Sequence, residues 1–253
     1  MKKIKFLVSA IAIMASAVMV SSCDDNDDIK NVASAIVTVK DDGNGQAYFQ
    51  VDDKTFVKPT NITGMPFGKK EVRALTQFQL IDAANGSKSN VNELSAKVLW
   101  IDSVLTKPTV PSTLIQVDDE AKYGNDPFEI SKNWITVAED GYVTVQILTR
   151  WGFGNVRHRI NLVRNISGGR DPYEFRLCHD ANGDTGNRYG YAIVAFNIKD
   201  IIQEAGEQPE EIHIFYNSFS GQKAINLKYG GNGGNNATND SDVSKDNNVV
   251  ALQ

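Results

Sequence analysis

Tyr142-Val143-Thr144-Val145-Gln146-Ile147-Leu148-Thr149 decides the fold class. Successive side chains of an extended strand point to opposite faces, so this order sends Val143, Val145 and Ile147 toward a core and Thr144 and Gln146 outward. Tyr173, Phe175 and Leu177 alternate in the same way with Glu174, Arg176 and Cys178. Further strand-like runs surround these two: Trp134–Val137, Arg157–Val163, Tyr191–Ile198, Glu211–Asn217 and Gln222–Tyr229. Each is bounded by Gly, Asn, Asp or Pro, and seven strands at this spacing predict a β-sandwich. One short helix is expected at Lys199–Ala205, with Asp200 as its cap and Gly206 as its stop.

Upstream lies a second set: Ala35–Val39, Ala47–Val51, Lys54–Val57, Val72–Leu80 and Ala96–Ile101. Five strands in so short a span suit a small, partly open barrel of the OB kind, so the chain is expected to be all-β throughout. Tyr48, Phe49, Trp100 and Trp134 fall within strand-like runs and are expected in the core. Lys107-Pro108 through Pro111 interrupts the pattern, because prolines stop strands and stiffen linkers. The expected organisation is an OB-like domain over 32–107, a linker over 108–117 and a sandwich over 118–229. Beyond it, 230–253 is rich in Gly and Asn and is expected to be a disordered tail.

The start of the chain follows different rules. Lys2, Lys3 and Lys5 precede an uncharged apolar stretch from Phe6 to Val20, the order of an export signal. Fifteen residues fall short of the ~20 needed to span a bilayer. The stretch ends in Val20-Ser21-Ser22-Cys23, which resembles the lipobox of bacterial lipoproteins. That resemblance implies cleavage of a signal peptide, 1–22, and lipidation of Cys23. Two or three acyl chains on one residue hold a protein stably to a membrane, where a single chain holds it only marginally. Asp24, Asp25, Asp27 and Asp28 open an acidic tether over 23–31, whose like charges keep it extended and unpacked.

Loss of residues 1–22 leaves 23 basic against 31 acidic residues, a net charge of −8. Such a chain offers no phosphate-neutralising face, and no Lys/Arg-rich run appears, so nucleic acid is not an expected partner. The mature chain keeps only Cys23 and Cys178. With the first carrying lipid no internal disulfide can form, and stability rests on packing. No zinc spacing, phosphate loop or serine-elbow motif is present, and no cofactor is expected.

Arg150-Trp151-Gly152, His158-Arg159-Ile160-Asn161-Leu162-Val163, Phe175-Arg176-Leu177-Cys178-His179-Asp180-Ala181-Asn182-Gly183-Asp184 and Val194-Ala195-Phe196-Asn197-Ile198 resemble the NigD-like lipoproteins of Bacteroidetes. The resemblance extends over nearly the whole mature chain. It implies an N-terminal OB-like domain, a C-terminal β-sandwich and, through the family name, a bacteriocin-linked immunity or accessory role. It brings no catalytic residues. In its light the acidic run after Cys23 looks like the surface-export signal of Bacteroides lipoproteins, which implies an outer-membrane protein at the cell surface, with a periplasm-facing one as the alternative. Asp102-Ser103-Val104 looks like the short O-glycosylation acceptor of that group, at Ser103, in a pattern brief enough to recur by chance.

The candidate sites each carry a plainer alternative. Asp180, Asn182 and Asp184 stand at the alternate spacing that opens a calcium loop. Thr185 then replaces the sharp-turn glycine and Tyr191 the closing carboxylate, so a turn-rich hairpin is the better reading and no metal is expected. His158, His179 and His213 show no repeated spacing. Cys178 and His179 are strand neighbours pointing to opposite faces, which removes the pairing a thiolate nucleophile needs. Trp151-Gly152-Phe153-Gly154 lies between two strands. Trp151 and Phe153 either present aromatic surface to a sugar or protein partner or fold back to cap an open end of the sandwich.

Two function classes follow. One is a non-enzymatic, membrane-anchored binding or accessory protein with a protein or glycan partner. The other is a cell-envelope glycan hydrolase using two carboxylates that meet only in three dimensions. An immunity role enters through the family name alone.

Overall fold

A computed structural model describes residues 32–81, 93–113, 116–152, 156–164 and 171–230. Cys23, the lipobox residues Val20, Ser21 and Ser22, the acidic run Asp24–Asp28, Phe153 and the tail beyond Gly230 lie outside these residues.

Strands β1 (Val32–Asp41), β2 (Ala47–Gln50), β3 (Phe56–Pro59), β4 (Val72–Leu80) and β5 (Glu93–Ser103) close into a barrel in the order β1-β2-β3-β5-β4. Alternation fills it: Ala33, Val37, Val39, Phe49, Val57, Ala74, Phe78, Ala96 and Val98 point inward and are buried together. Phe49 is fully buried as the sequence predicts, and Tyr48 lies half-buried against Phe56. Trp100 departs from its expected core place and is 39% exposed. The cause is a bulge: Gln77 pairs with Trp100 and Phe78 with Val98, so Leu99 is an extra residue and the alternation of β5 breaks. Ser103, at the end of β5, is exposed.

After β5 the chain forms β6 (Leu105–Pro108), β7 (Val110–Pro111) and helix α1 (Gln116–Tyr123). It then runs through β8 (Glu129–Ser131), β9 (Val137–Glu139), β10 (Tyr142–Trp151), β11 (Arg159–Arg164), β12 (Glu174–Asp180) and β13 (Arg188–Asn197). Helix α2 (Lys199–Ala205), β14 (Glu211–Ser218) and β15 (Gly221–Lys228) complete it. One sheet has the order β6-β13-β10-β8, with β9 also on β10, and the other β15-β14-β12-β11-β7. Between them lies one core that includes Val143, Val145, Ile147, Tyr173, Phe175 and Leu177, the residues the alternation assigns to it.

Three strands go beyond the seven read from sequence, and two of them occupy the proline-marked stretch. β6 joins β13 and β7 joins β11, both in parallel, and each is the edge strand of its sheet. Pro108 and Pro111 stand last in their strands, where a missing N–H interrupts no ladder. Trp134 lies outside the strands and is half-buried. α2 stops at Gly206 in the left-handed region, as read, but its start differs: the Lys199 N–H donates to Asn197 Oδ1 rather than to Asp200.

Thr144 is also corrected, from outward-facing to fully buried. It stands opposite Ala195, and that second face of β10 and β13 is covered by the barrel through Ile36, Val104, Ile135 and Ala195. The seam is polar at one end. Arg73, fully buried on the outer face of β4, donates from Nη1 to Thr38 Oγ1 and from Nη2 to Glu139 Oε1, both at 2.9 Å. Its guanidinium lies 5.6 Å from the centroid of the Tyr142 ring. Lys40 meets Asp140 at 2.6 Å, the Tyr142 hydroxyl donates to Glu71 Oε1 at 2.5 Å, and Lys199 pairs with the same carboxylate. The β9–β10 hairpin that carries these groups turns through Asp140 (φ 49°) and Gly141 (φ 77°), the left-handed pair a two-residue hairpin requires.

Removing one partner of a buried ion pair strands the other charge, at a cost of about 3–5 kcal/mol. Glu139→Ala is therefore expected to lower stability by about that amount in urea unfolding. A loss below about 1 kcal/mol, the level of a surface pair, would show that the junction does not depend on it.

Candidate functional site

Helix α1 crosses the outer face of the sheet that contains β11, β12 and β14. Its Tyr123 packs with Val163 and Cys178 beneath it and donates its hydroxyl to Pro111 O at 2.9 Å. Asp119 anchors its other end, accepting from Ser112 Oγ at 2.5 Å and the Thr113 N–H at 2.6 Å. Burial works against the Asp119 charge, but these bonds prevail and hold its pKa below the usual carboxylate range.

Beside the helix opens a groove of about 350 Å³ lined by Asp119, Glu174, Arg176, Phe215, Asn217 and Lys223 among others. Its floor is the outward side of the alternation: Glu174 and Arg176 from β12, Phe215 and Asn217 from β14. Arg176 stands opposite Phe215 in the parallel pairing of these strands. The Arg176 Nη1 atom is buried and finds no acceptor among the described residues. Phe215 is 44% exposed. Lys223 is held by Glu129 at 2.9 Å, and Asn217 donates to Asn125 O at 2.7 Å, which sets the rim. An unpaired guanidinium N–H beside an exposed ring suits a ligand that has an acceptor oxygen on one side and an apolar face on the other.

A second polar constellation lies inside the sandwich. His158 and His179 are buried and joined Nδ1 to Nε2 at 2.9 Å, a diagonal pair across the β11–β12 hairpin. His158 Nε2 lies 3.3 Å from Asp184 Oδ2, and His179 Nδ1 lies 3.2 Å from Asp126 O. The Trp151 ring tilts over His158 with centroids 4.7 Å apart, and Phe128 meets His179 edge-on. Trp151 therefore folds back onto the core. Asp184 ties the following turn down by accepting from the N–H groups of Gly152 and Gly186. Sequence reasoning sets these histidines apart for lack of spacing; the signal is instead hairpin register, in which His158 and His179 both share the inward face with Ile160 and Leu177.

The remaining candidates separate in space. Asp180 pairs with Arg159 and accepts the Asn182 N–H, while Asp184 turns inward to His158. The expected hairpin is not formed: Asn182 sits at φ 51° in the turn that carries the chain from β12 in one sheet to β13 in the other, and the three do not converge on one point. Among the described residues no cluster of three His, Cys, Asp or Glu side chains is arranged to hold a metal. Cys178 and His179 do face opposite sides, and burial pushes the Cys178 thiol up to about 12, far from a reactive thiolate. His213 lies on the outer face between Asn226 and Asp171.

Residues 36–104 match the NigD-like N-terminal OB domain and residues 111–229 the NigD-like C-terminal beta sandwich domain. The chain belongs to the NigD-like family. Several solved structures share this fold. A protein from Parabacteroides distasonis whose name includes the words toxin related is 27% identical, with a TM-score of 0.61 over 79% of this chain and 93% of that one. A NigD-like immunity protein from Bacteroides caccae is 18% identical, with a TM-score of 0.51 over 79% and 94%. A Bacteroides fragilis protein with lipoprotein in its name is 14% identical, with a TM-score of 0.52 over 79% and 98%. The chain matches no curated protein. This NigD-like chain thus shares its two-domain architecture with these structures, and the groove beneath α1 belongs to its sandwich domain.

Burial first, and the neighbouring His158 second, push His179 down to about 4. An unfolded histidine takes up its proton near pH 6.5, so folding loses stability as pH falls from 6.5 toward 4, by up to about 1.4 kcal/mol per unit. The urea midpoint is expected to fall more over that range in wild type than in His179→Gln. Equal pH slopes in the two proteins would contradict this assignment.

Proposed function

We propose that this NigD-like chain is a lipid-anchored, non-catalytic binding protein that takes a ligand or partner segment into the groove beneath α1. The observation that carries the reading is the buried Arg176 Nη1 without an acceptor, beside the exposed ring of Phe215. Leaving a buried donor unpaired costs about 1–3 kcal/mol, a cost that a bound acceptor oxygen would remove. The Val20-Ser21-Ser22-Cys23 sequence supports the anchor, and Asp24, Asp25, Asp27 and Asp28 support display at the cell surface. Binding is favoured over glycan hydrolysis by the engagement of the groove's buried carboxyl. A hydrolase needs a protonated and an ionised carboxyl facing across a cleft. In the groove Asp119 is ionised and already engaged. The acid that burial raises to about 7, Glu139, belongs to the seam with Arg73.

The words toxin related in the name of the 27% identical relative make a toxin one occupant to test, beside glycans. Two measurements bear on the whole reading. Mass spectrometry of the mature protein is expected to find acylated Cys23 at its start; an unmodified thiol there would end the anchor reading. In a panel of oligosaccharides and neighbouring-strain toxins, a binder is expected whose Kd rises at least about 10-fold in Arg176→Ala and Phe215→Ala, as loss of roughly 1.4 kcal/mol requires. Binding unchanged by both substitutions would remove the groove from the account.

A further inference from the structure

The outer wall of the barrel divides into two parts. Toward one end of β1 and β4, Ile36, Thr38, Arg73 and Leu75 face the sandwich and are covered by it. Toward the other end no described element packs on the same outward face. Its rungs follow from the pairing: Val32 stands opposite Gln79 and Gln79 opposite Lys97, while Ser34 stands opposite Gln77 and Gln77 opposite Trp100. The intervening Ala33, Phe78 and Val98 are in the barrel core, which places this set outside.

Three large apolar side chains stand exposed on or beside this strip. The β5 bulge turns two consecutive large residues outward, Leu99 at 45% and Trp100 at 39% exposure. Ile81, whose N–H donates to Ser95 O at the next rung, is 47% exposed. Lys97 is exposed among them, and Lys58 stands opposite Ser95 on β3, paired with Glu93 at 2.6 Å. Lys97 is thus the charge that stands directly beside the apolar residues, Lys58 and Glu93 offsetting each other. Val32, on the first rung, is where the tether from Cys23 enters. The nine residues from Cys23 to Asn31 extend at most roughly 30 Å. A bilayer holding acylated Cys23 is therefore within reach of this strip.

We infer that the strip formed by Ile81, Leu99, Trp100 and Lys97 rests on the lipid surface that holds the anchor, with the Trp100 ring at the headgroup boundary. The chemistry matches that layer. Tryptophan is favoured where one end of the ring is apolar and the other wet, and lysine extends its ammonium to lipid phosphates while its stem covers apolar surface. The inference rests on lipidation of Cys23, and one experiment separates the two. Full-length acylated protein is reconstituted into phosphatidylethanolamine and phosphatidylglycerol vesicles, with plain or brominated acyl chains, and floated. Bromine quenches only rings at the bilayer. Brominated lipid is expected to remove roughly a third of the emission, one tryptophan in three, and the Trp100→Phe protein is expected to show no such loss. Protein that floats with equal emission in both lipids would overturn the membrane face and leave the anchor standing. Acylated protein that fails to float would remove the anchor and this inference together.

Discussion

The fold turns on the buried contact between Arg73 and Glu139. Neither domain can satisfy its own half. Arg73 projects from the outer face of a barrel strand, where only Thr38 answers it from within the barrel. Glu139 ends a three-residue strand that holds its place through Tyr142 and the Asp140-Gly141 turn. Burial favours a neutral Glu139 and outweighs the opposing guanidinium, which leaves the carboxyl raised to about 7. With the Arg73 charge answered from the barrel by Thr38, its bond to Glu139 ties the two domains together, and the apolar contacts of Ile36, Val104, Ile135 and Ala195 close around it. Buried ion pairs add little net stability compared with apolar packing, but they penalise misplacement heavily.

That fixed placement gives the molecule two kinds of surface. The sandwich offers its outer sheet, where α1, pinned through Asp119 and Tyr123, makes a groove from what would be a flat face. The barrel offers the outward side of β1, β4 and β5 beyond the seam. The inward faces of both domains are given over to packing, and even the histidine pair belongs there, closing the sandwich beneath Trp151 rather than opening a site.

Period-two alternation is a local signal, so what it governs was legible in the sequence: the all-β class, the barrel and sandwich cores, and the opposite facing of Cys178 and His179. What depends on a distant partner was not. Thr144 looks like a solvent residue because nothing in its own strand announces that a second domain will cover it. Trp100 looks like a core residue because the bulge that displaces it is set by pairing with β4. Pro108 and Pro111 mark a break correctly, yet both are accommodated at strand ends on sheet edges, the one place where a missing donor is harmless. The groove was invisible for the same reason. Arg176 and Phe215 are far apart along the chain and meet only through a parallel pairing that no hairpin signal predicts.

The short strands β6 and β7 carry a consequence for assembly. As the chain leaves the barrel it inserts one strand into each sheet, so the edges of both layers are built from residues that precede everything else in the sandwich. Their partners, β13 and β11, come much later in the sequence, and parallel neighbours so far apart are slow to find each other. As the chain is synthesised, amino-terminus first, the barrel can be complete while Leu105 and Val110 still have nothing to join. Two unpaired edges beside an uncovered Arg73 make that interval the time when the newborn chain is most open to mispairing with another copy of itself.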